Sequence, residues 1–336
     1  MMPRRRIIPV FVPHLGCPND CVFCNQRKIS GSLTPADAQT VIQTLEGARK
    51  YAGWGAELAF YGGSFTAIPE REQEELLGAA QPYLREGLID RVRVSTRPDC
   101  VDGAALERLE KYGVKTVELG AQSMDGRVLK LSGRGHTAED TRRAAGLVRA
   151  AGFELMLQMM TGLPGSSPES DIATARELIA LRPDGVRIYP TVIIRDTALY
   201  ELWRAGRYRE HTVEDAVSVC AVIAGELQGA NIPIIRLGLN PTEELSAGEA
   251  AAGAYHPALG ELVYSRVYLN RARRLIAETG ARGSVTIGVH PSRVSMMTGQ
   301  RRCNIAALER EFALSSVKVV KAEVADGEIK IIKSTE

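Results

Sequence analysis

Glu57-Leu58-Ala59-Phe60-Tyr61-Gly62-Gly63-Ser64-Phe65 reads as a short apolar strand that stops on paired glycines. The amphipathic stretch from Pro69 to Leu84 that follows it reads as a helix. The same unit recurs along the chain. Strands are expected at Ile7 to Val12, Glu57 to Tyr61, Val92 to Thr96, Thr116 to Ala121, Glu154 to Met159 and Val186 to Tyr189. Helices are expected between them: one starting at Thr34-Pro35-Ala36-Asp37, then Pro69 to Leu84, Asp102 to Tyr112, Thr137 to Ala151 and Pro168 to Leu181. Short buried strands alternating with helices predict a parallel sheet with right-handed crossovers. Each strand is followed at once by a glycine-, proline- or polar-rich signature: His14 to Cys24, Gly62 to Phe65, Arg97-Pro98-Asp99, Gln122-Ser123, Gly162 to Gly165 and Pro190-Thr191. Parallel barrels gather their chemistry at the carboxyl ends of their strands. The fold class expected is therefore α/β: a partial parallel (β/α) barrel of about six strands.

After Thr191 the pattern changes. Arg195 to Arg207 reads as an excursion, Val213 to Gln228 as a helix and Ile232 to Leu237 as another strand. From about Gly238 the composition shifts to short helices mixed with strands at Ser284 to Val289, Val317 to Val320 and Glu328 to Ile332. This predicts a barrel domain over 1–238 and a small C-terminal α/β domain over 239–336. A hydrophobic fraction of 45% and a formal charge of +2 are ordinary for a soluble globular chain of 336 residues. That charge does not by itself argue for a nucleic-acid partner. The run Ile7 to Val12 is too short for a signal-peptide core, and no apolar stretch is long enough to span a bilayer. The expected location is the cytoplasm, away from membranes, where the six cysteines are ligands or inert residues rather than disulfides.

Three of the six crowd into Cys17-Pro18-Asn19-Asp20-Cys21-Val22-Phe23-Cys24. Thiolates at such close spacing hold iron–sulfur clusters, and a four-iron cluster held by three thiolates leaves one iron open to a small molecule. The competing reading is a structural zinc with His14 as the fourth ligand. Cys100, Cys220 and Cys303 stand alone and read as inert core residues.

The C-x3-C-x2-C loop, with Phe23 just before its last cysteine, resembles the signature of the radical S-adenosylmethionine superfamily. Gly62-Gly63-Ser64 resembles that family's glycine-rich turn, where absent side chains let the backbone approach the methionine amino group. The series Tyr61 to Thr66, Thr96-Arg97-Pro98-Asp99, Leu119 to Ser123, Arg134-Gly135-His136-Thr137, Met159 to Pro164 and Arg187 to Thr191 resembles the radical domain of the Elongator catalytic subunit. That resemblance covers about Ile8 to Trp203. It implies a 4Fe-4S cluster on Cys17, Cys21 and Cys24, and S-adenosyl-L-methionine as second cofactor. It also implies an electron donor such as flavodoxin or ferredoxin, and tRNA as the partner whose nucleoside is modified by a 5′-deoxyadenosyl radical.

Two departures stand out. Ser95 occupies a position where that branch commonly has glutamate, and no segment here resembles the branch's acetyltransferase domain. The acetyl-dependent reaction is therefore not carried over. The barrel also resembles oxygen-independent coproporphyrinogen oxidases, which keeps a small metabolite or tetrapyrrole substrate open. A non-catalytic, zinc-stabilised RNA-binding or assembly protein is the alternative of another class.

The cofactor-binding residues implied are Phe23, Tyr61, Gly62, Gly63, Ser64, Gln122 and Gln158. Gln122 is placed by the resemblance against the nucleoside. Gln158 interrupts the apolar run Leu155 to Met160, and a buried amide must find partners. Arg97, with its planar fork suited to a carboxylate or phosphate, and Tyr189, at a strand end, are the candidate catalytic residues. Each has a structural alternative, an ion pair with Asp99 for Arg97 and core packing for Tyr189. Arg134 and His136 read either as RNA-phosphate contacts or as a capping loop. Tyr255-His256-Pro257 and His290-Pro291 carry no assigned role. Arg4 to Arg6, Arg271 to Arg274 and Arg301-Arg302 are candidate RNA-facing clusters, with plain solvated charge as the alternative.

Overall fold

The structure, a computed structural model, describes residues 6–12, 17, 21–25, 36–50, 55–239 and 248–335. Seven parallel strands form its main sheet, curved into a half-barrel. They are β1 (Ile7–Val12), β2 (Ala56–Gly62), β3 (Ile89–Thr96), β4 (Val114–Gln122), β5 (Glu154–Thr161), β6 (Gly185–Pro190) and β8 (Ile234–Leu237). They lie side by side in that order with no reversal, so every carboxyl end opens on the same rim. The strand expected at Ile232 to Leu237, outside the count of about six, joins the sheet as its seventh, β8, pairing with β6 through Ile188↔Leu237. Also unexpected is a two-stranded antiparallel ribbon, in which β7 (Val192–Ile194) pairs with β9 (Ala250–Gly253).

Period-two alternation sets the two faces of the sheet. Leu58, Phe60, Val92, Val94, Val117, Leu119, Leu155, Leu157, Val186 and Ile188 are buried at alternate positions. The intervening positions carry Glu57, Arg93, Glu118, Gln158 and Arg187, an unusually polar set for sheet centres. The crossover helices are α1 (Ala38–Ala48), α2 (Glu70–Glu86), α3 (Gly103–Lys111), α4 (Gly126–Leu131), α5 (Ala138–Ala150) and α6 (Pro168–Ala180). Their starts are fixed by side chains that satisfy orphan N–H groups. Asp37, Thr137 and Ser167 each complete a reciprocal capping box, and Asp102 caps α3. Thr34 and Pro35, expected to open α1, lie outside the described residues. After β7 comes α7 (Ala198–Arg204).

The residues group into two compact units, 1–212 with 230–255, and 213–229 with 256–336. This differs from a single boundary after residue 238, because α8 (Val213–Gly229) belongs to the second unit and β8 to the first. In the second unit α8 meets α9 (Leu259–Thr279), where Arg266 pairs with Glu214 and Arg271 donates to Gln228. At 21 residues, α9 is far longer than the short helices expected there. The unit is completed by β10 (Ser284–Val289), α10 (Val294–Thr298), α11 (Cys303–Glu311), β11 (Ser316–Lys321) and β12 (Ile329–Thr335). Its three strands lie in the order β11-β10-β12. His256 Nδ1 accepts from the Ala258 N–H, and His290 Nδ1 accepts from that of Ser292, so both histidines cap turns. No helix among the described residues is long and apolar enough to cross a membrane.

Candidate active site

The Cys21–Asn25 segment is held from both sides. The Val22 N–H donates to the Ser132 carbonyl (3.1 Å), while the Val22 carbonyl accepts from the Leu199 N–H at the start of α7 (2.7 Å). Phe23 packs with Tyr189 against Val128, Met160 and Leu163 at the strand ends. Pro18 to Asp20 and His14 lie outside the described residues, and so does any zinc arrangement involving that histidine.

Two guanidinium groups face the thiols. Arg134 donates through Nη1 to the Cys21 sulfur (3.5 Å) and through Nη2 to the Gly120 carbonyl (2.7 Å). Arg97 is almost wholly buried, forked onto Asp99 at 3.0 and 2.8 Å, and its Nη2 donates to the Arg134 carbonyl (2.5 Å). Its remaining nitrogen, Nη1, is buried with no hydrogen-bond partner among the described residues. Burial pushes the Cys17 thiol up and Cys21 adds to this, whereas Arg97 and Arg134 pull it down. The donor set therefore suits an electron-rich iron–sulfur group: thiols to ligate it, and cationic N–H groups to stabilise thiolate charge. Among the described residues no group of three histidines, cysteines or carboxylates is arranged to hold a single metal ion.

Cys100, read from sequence as inert core, is half-buried and within electrostatic reach of Cys17. Cys303, read the same way, is exposed at the start of α11, whereas Cys220 is buried as expected. His136 does not face outward. Its Nε2–H donates to the Ala121 carbonyl (3.1 Å), and burial together with Arg134 pushes its pKa down to about 4, so the ring is neutral. The Arg-Gly-His-Thr block thus braces the rim from inside.

Next to this pair sits the glycine-rich turn. Gly62 has φ of 105°, a conformation that costs glycine little, and the Gly63 N–H donates to the Val12 carbonyl at the end of β1 (2.9 Å). Ser64 is buried and accepts from the Arg97 N–H (3.2 Å), with Thr96 Oγ1 at 3.0 Å. It ties β2 to β3. Gln122 is a non-glycine residue at φ 63°, and its side-chain Oε1 accepts from Gln158 Nε2 (3.2 Å). A left-handed residue at the end of a central strand is the kind of strain that collects at functional sites. The two amides thus come together at the ends of β4 and β5. On the β5 rim the Gly162 N–H donates to Asp171 (2.9 Å), whose carboxyl is pushed up to about 7 by burial.

Deeper in the half-barrel lies a charged network that sequence reading missed. Arg93 Nη2 donates to Glu57 (2.8 Å) and its Nη1 stands 3.5 Å from Glu118. Arg187 donates from Nε to Glu118 (2.9 Å), from Nη2 to the Tyr61 hydroxyl (2.8 Å) and from Nη1 to the Tyr189 hydroxyl (3.3 Å). The Arg187 guanidinium also stacks over the Tyr61 ring. Burial, then Glu118, pushes Tyr61 up to about 12, so it stays a neutral phenol. The available signal was a charged residue amid apolar neighbours in each of β2, β3, β4 and β6 (Glu57, Arg93, Glu118 and Arg187), because buried charges require partners. Ser95, at the position of the branch's glutamate, is bound to nothing: its buried hydroxyl has no hydrogen-bond partner among the described residues.

Residues 11–178 match the radical SAM superfamily, SAM being S-adenosylmethionine, and residues 183–268 match the radical SAM C-terminal domain. The chain belongs to the radical SAM superfamily. Among its relatives is a tRNA uridine(34) acetyltransferase from Methanocaldococcus infernus, 34% identical over 174 residues, which span 51% of this chain and 32% of that protein. Elongator complex protein 3 from Bos taurus is 29% identical over 231 residues, covering 63% of this chain and 41% of its own. Among solved structures, Elp3 from M. infernus with its N-terminus deleted superposes with a TM-score of 0.61 at 25% identity, covering 82% of this chain and 63% of that one. The radical SAM chain described here thus spans between 32% and 41% of the length of these two curated relatives. The resemblance to the Elongator radical domain, drawn from the blocks between Tyr61 and Thr191, is borne out by these relatives.

Proposed function

We propose that this radical SAM protein reductively cleaves S-adenosylmethionine and uses the product radical to modify a nucleoside of tRNA. The observation that carries the reading is the Arg134 N–H on the Cys21 sulfur at the rim of the half-barrel, in a chain whose relatives include a tRNA uridine(34) acetyltransferase. Cys17, Cys21 and Cys24 would hold a 4Fe-4S cluster, Arg134 would stabilise its thiolate charge, and Phe23 would shield it from solvent. When bound, that cluster supplies the electron that breaks the sulfonium bond, yielding the 5′-deoxyadenosyl radical that abstracts hydrogen from substrate. A donor of the flavodoxin or ferredoxin type would deliver the electron.

The remaining roles follow from what each group offers. Arg97 presents a buried N–H with no acceptor among the described residues, which suits the methionine carboxylate. The Gln122 and Gln158 amides can pair with a nucleoside edge, and the Gly62-Gly63-Ser64 turn lets the backbone approach the amino group. The Tyr61, Arg187 and Tyr189 group faces the interior, where a substrate base would sit. The protein reconstituted without oxygen, given dithionite and S-adenosylmethionine, is expected to release 5′-deoxyadenosine faster with tRNA than without it. Nucleoside analysis of the recovered tRNA should show a new mass. No stimulation and unchanged tRNA would overturn the tRNA reading, and a response to a small metabolite pool or a tetrapyrrole in its place would redirect it.

A further inference from the structure

The three-stranded sheet of the second unit has two unlike faces. Val285, Ile287, Val289 and Val317 are buried, with Val319, Ile329 and Ile331 packed against the same core as Leu269, Ile276, Met297 and Leu308. The other face follows from the register. Lys318 and Lys333 flank Thr286 on either side, and Val320 and Lys330 flank Gly288. A bulge inserts Ile332 between these rows. Its side chain lies over Gly288, where any Cβ would collide with it. Lys318, Val320, Lys330, Ile332 and Lys333 are all exposed.

Lysine occurs nine times in the chain, and four of the nine are Lys318, Lys321, Lys330 and Lys333. No acidic residue occurs in β10, β11 or β12. Among the described residues none of these four lysines is ion-paired. Lys330 Nζ touches only a backbone carbonyl, that of Glu323 (3.4 Å), whereas four arginines of the unit are engaged: Arg266, Arg273 and Arg293 pair with Glu214, Glu311 and Asp326, and Arg271 is bound to Gln228 and the Gly327 carbonyl. Of the candidate RNA-facing cluster Arg271 to Arg274, Arg271 and Arg273 are therefore occupied by the unit's own carboxylates, amides and carbonyls, and Arg301-Arg302 stay as read from sequence, open to RNA or to solvent. On the sheet, three lysines without carboxylate partners share one exposed face. It falls beyond the residues matched by either radical SAM family.

We infer that the face formed by Lys318, Lys330 and Lys333 binds the phosphate backbone of RNA. Flexible point charges without carboxylate partners suit phosphates spaced along a strand. The absence of aromatic residues from this face argues for backbone contact rather than base stacking. The inference rests on tRNA being the substrate, and the surface would orient that substrate without contributing to the chemistry.

The test compares the full chain with a triple variant, Lys318→Gln, Lys330→Gln and Lys333→Gln, and with the matching triple arginine variant. tRNA binding is measured across a salt series. The glutamine variant is expected to bind tRNA at least about 10-fold more weakly, with the log–log salt slope reduced by about 2 to 3, since each phosphate contact contributes about 0.9. The arginine variant should keep both. Release of 5′-deoxyadenosine without RNA should be the same in all three, which also verifies folding. Wild-type affinity and slope in the glutamine variant would overturn the surface while leaving the tRNA reading standing, and would give this face to another partner. A wild-type chain that does not bind tRNA would overturn both. Lost binding in the variant, in a protein that leaves tRNA chemically unchanged, would support the surface and sink the substrate assignment.

Discussion

Cys21→Ala protein prepared without oxygen is expected to lose bound iron and 5′-deoxyadenosine release together, each by more than about 100-fold, because even an outer-shell change at a metal site costs about 10–100-fold. Cys21 is the thiol on which the arrangement converges. Its segment is clamped by the Ser132 carbonyl and by α7, and its sulfur takes the Arg134 N–H. Loss of one of three thiolates leaves a second iron without protein ligation, so the group would not survive purification. Cys303→Ala, at an exposed helix start, should leave iron and turnover at wild-type levels. Iron analysis with a chromatographic assay of 5′-deoxyadenosine checks both. Normal cleavage by the Cys21 variant would show that the sulfurs assigned here are not the ligands.

The second large effect is on stability. Glu118→Gln is expected to cost about 3–5 kcal/mol, because removing one partner of a buried ion pair leaves an uncompensated charge. Glu118 is almost wholly buried between Arg93 and Arg187, with Arg187 Nε at 2.9 Å and Arg93 Nη1 at 3.5 Å. Without its charge the two guanidiniums repel across β4, and the Arg187 contacts to Tyr61 and Tyr189 lose their anchor. Urea unfolding of the metal-free chain, with the midpoint shift and unchanged slope as readout, measures the cost. Replacing both members, as Glu118→Met with Arg187→Met, should recover part of the loss, since an apolar pair of similar volume often matches a buried ion pair. A Glu118→Gln variant within about 0.5 kcal/mol of wild type, the range of an ordinary surface substitution, would mean the network carries no stability.

The strands of the half-barrel were legible because their apolar alternation and the turn residues after them are local signals. The cysteine trio was legible because three thiols in eight residues have few explanations. The charged interior was not, since Glu57, Arg93, Glu118 and Arg187 lie on four strands and meet only in the folded sheet. Arg134 stayed open between an RNA-phosphate contact and a capping loop for a related reason. Its sequence position before a helix gives no spatial neighbour, whereas in the fold its side chain reaches Cys21. Cys100 misled because isolation in sequence says nothing about spatial neighbours; the short turn after β3 returns it to Ser64 and Arg97. The β7–β9 ribbon joins segments more than fifty residues apart, a pairing no local pattern announces.

Electron paramagnetic resonance of the oxygen-free, reduced protein, recorded with and without S-adenosylmethionine labelled at its amino nitrogen and carboxylate oxygens, tests the central claim most directly. A 4Fe-4S signal that shifts on addition, with hyperfine coupling to the labels, is the predicted result. A colourless protein containing zinc, or a cluster signal that S-adenosylmethionine leaves unchanged, would contradict it.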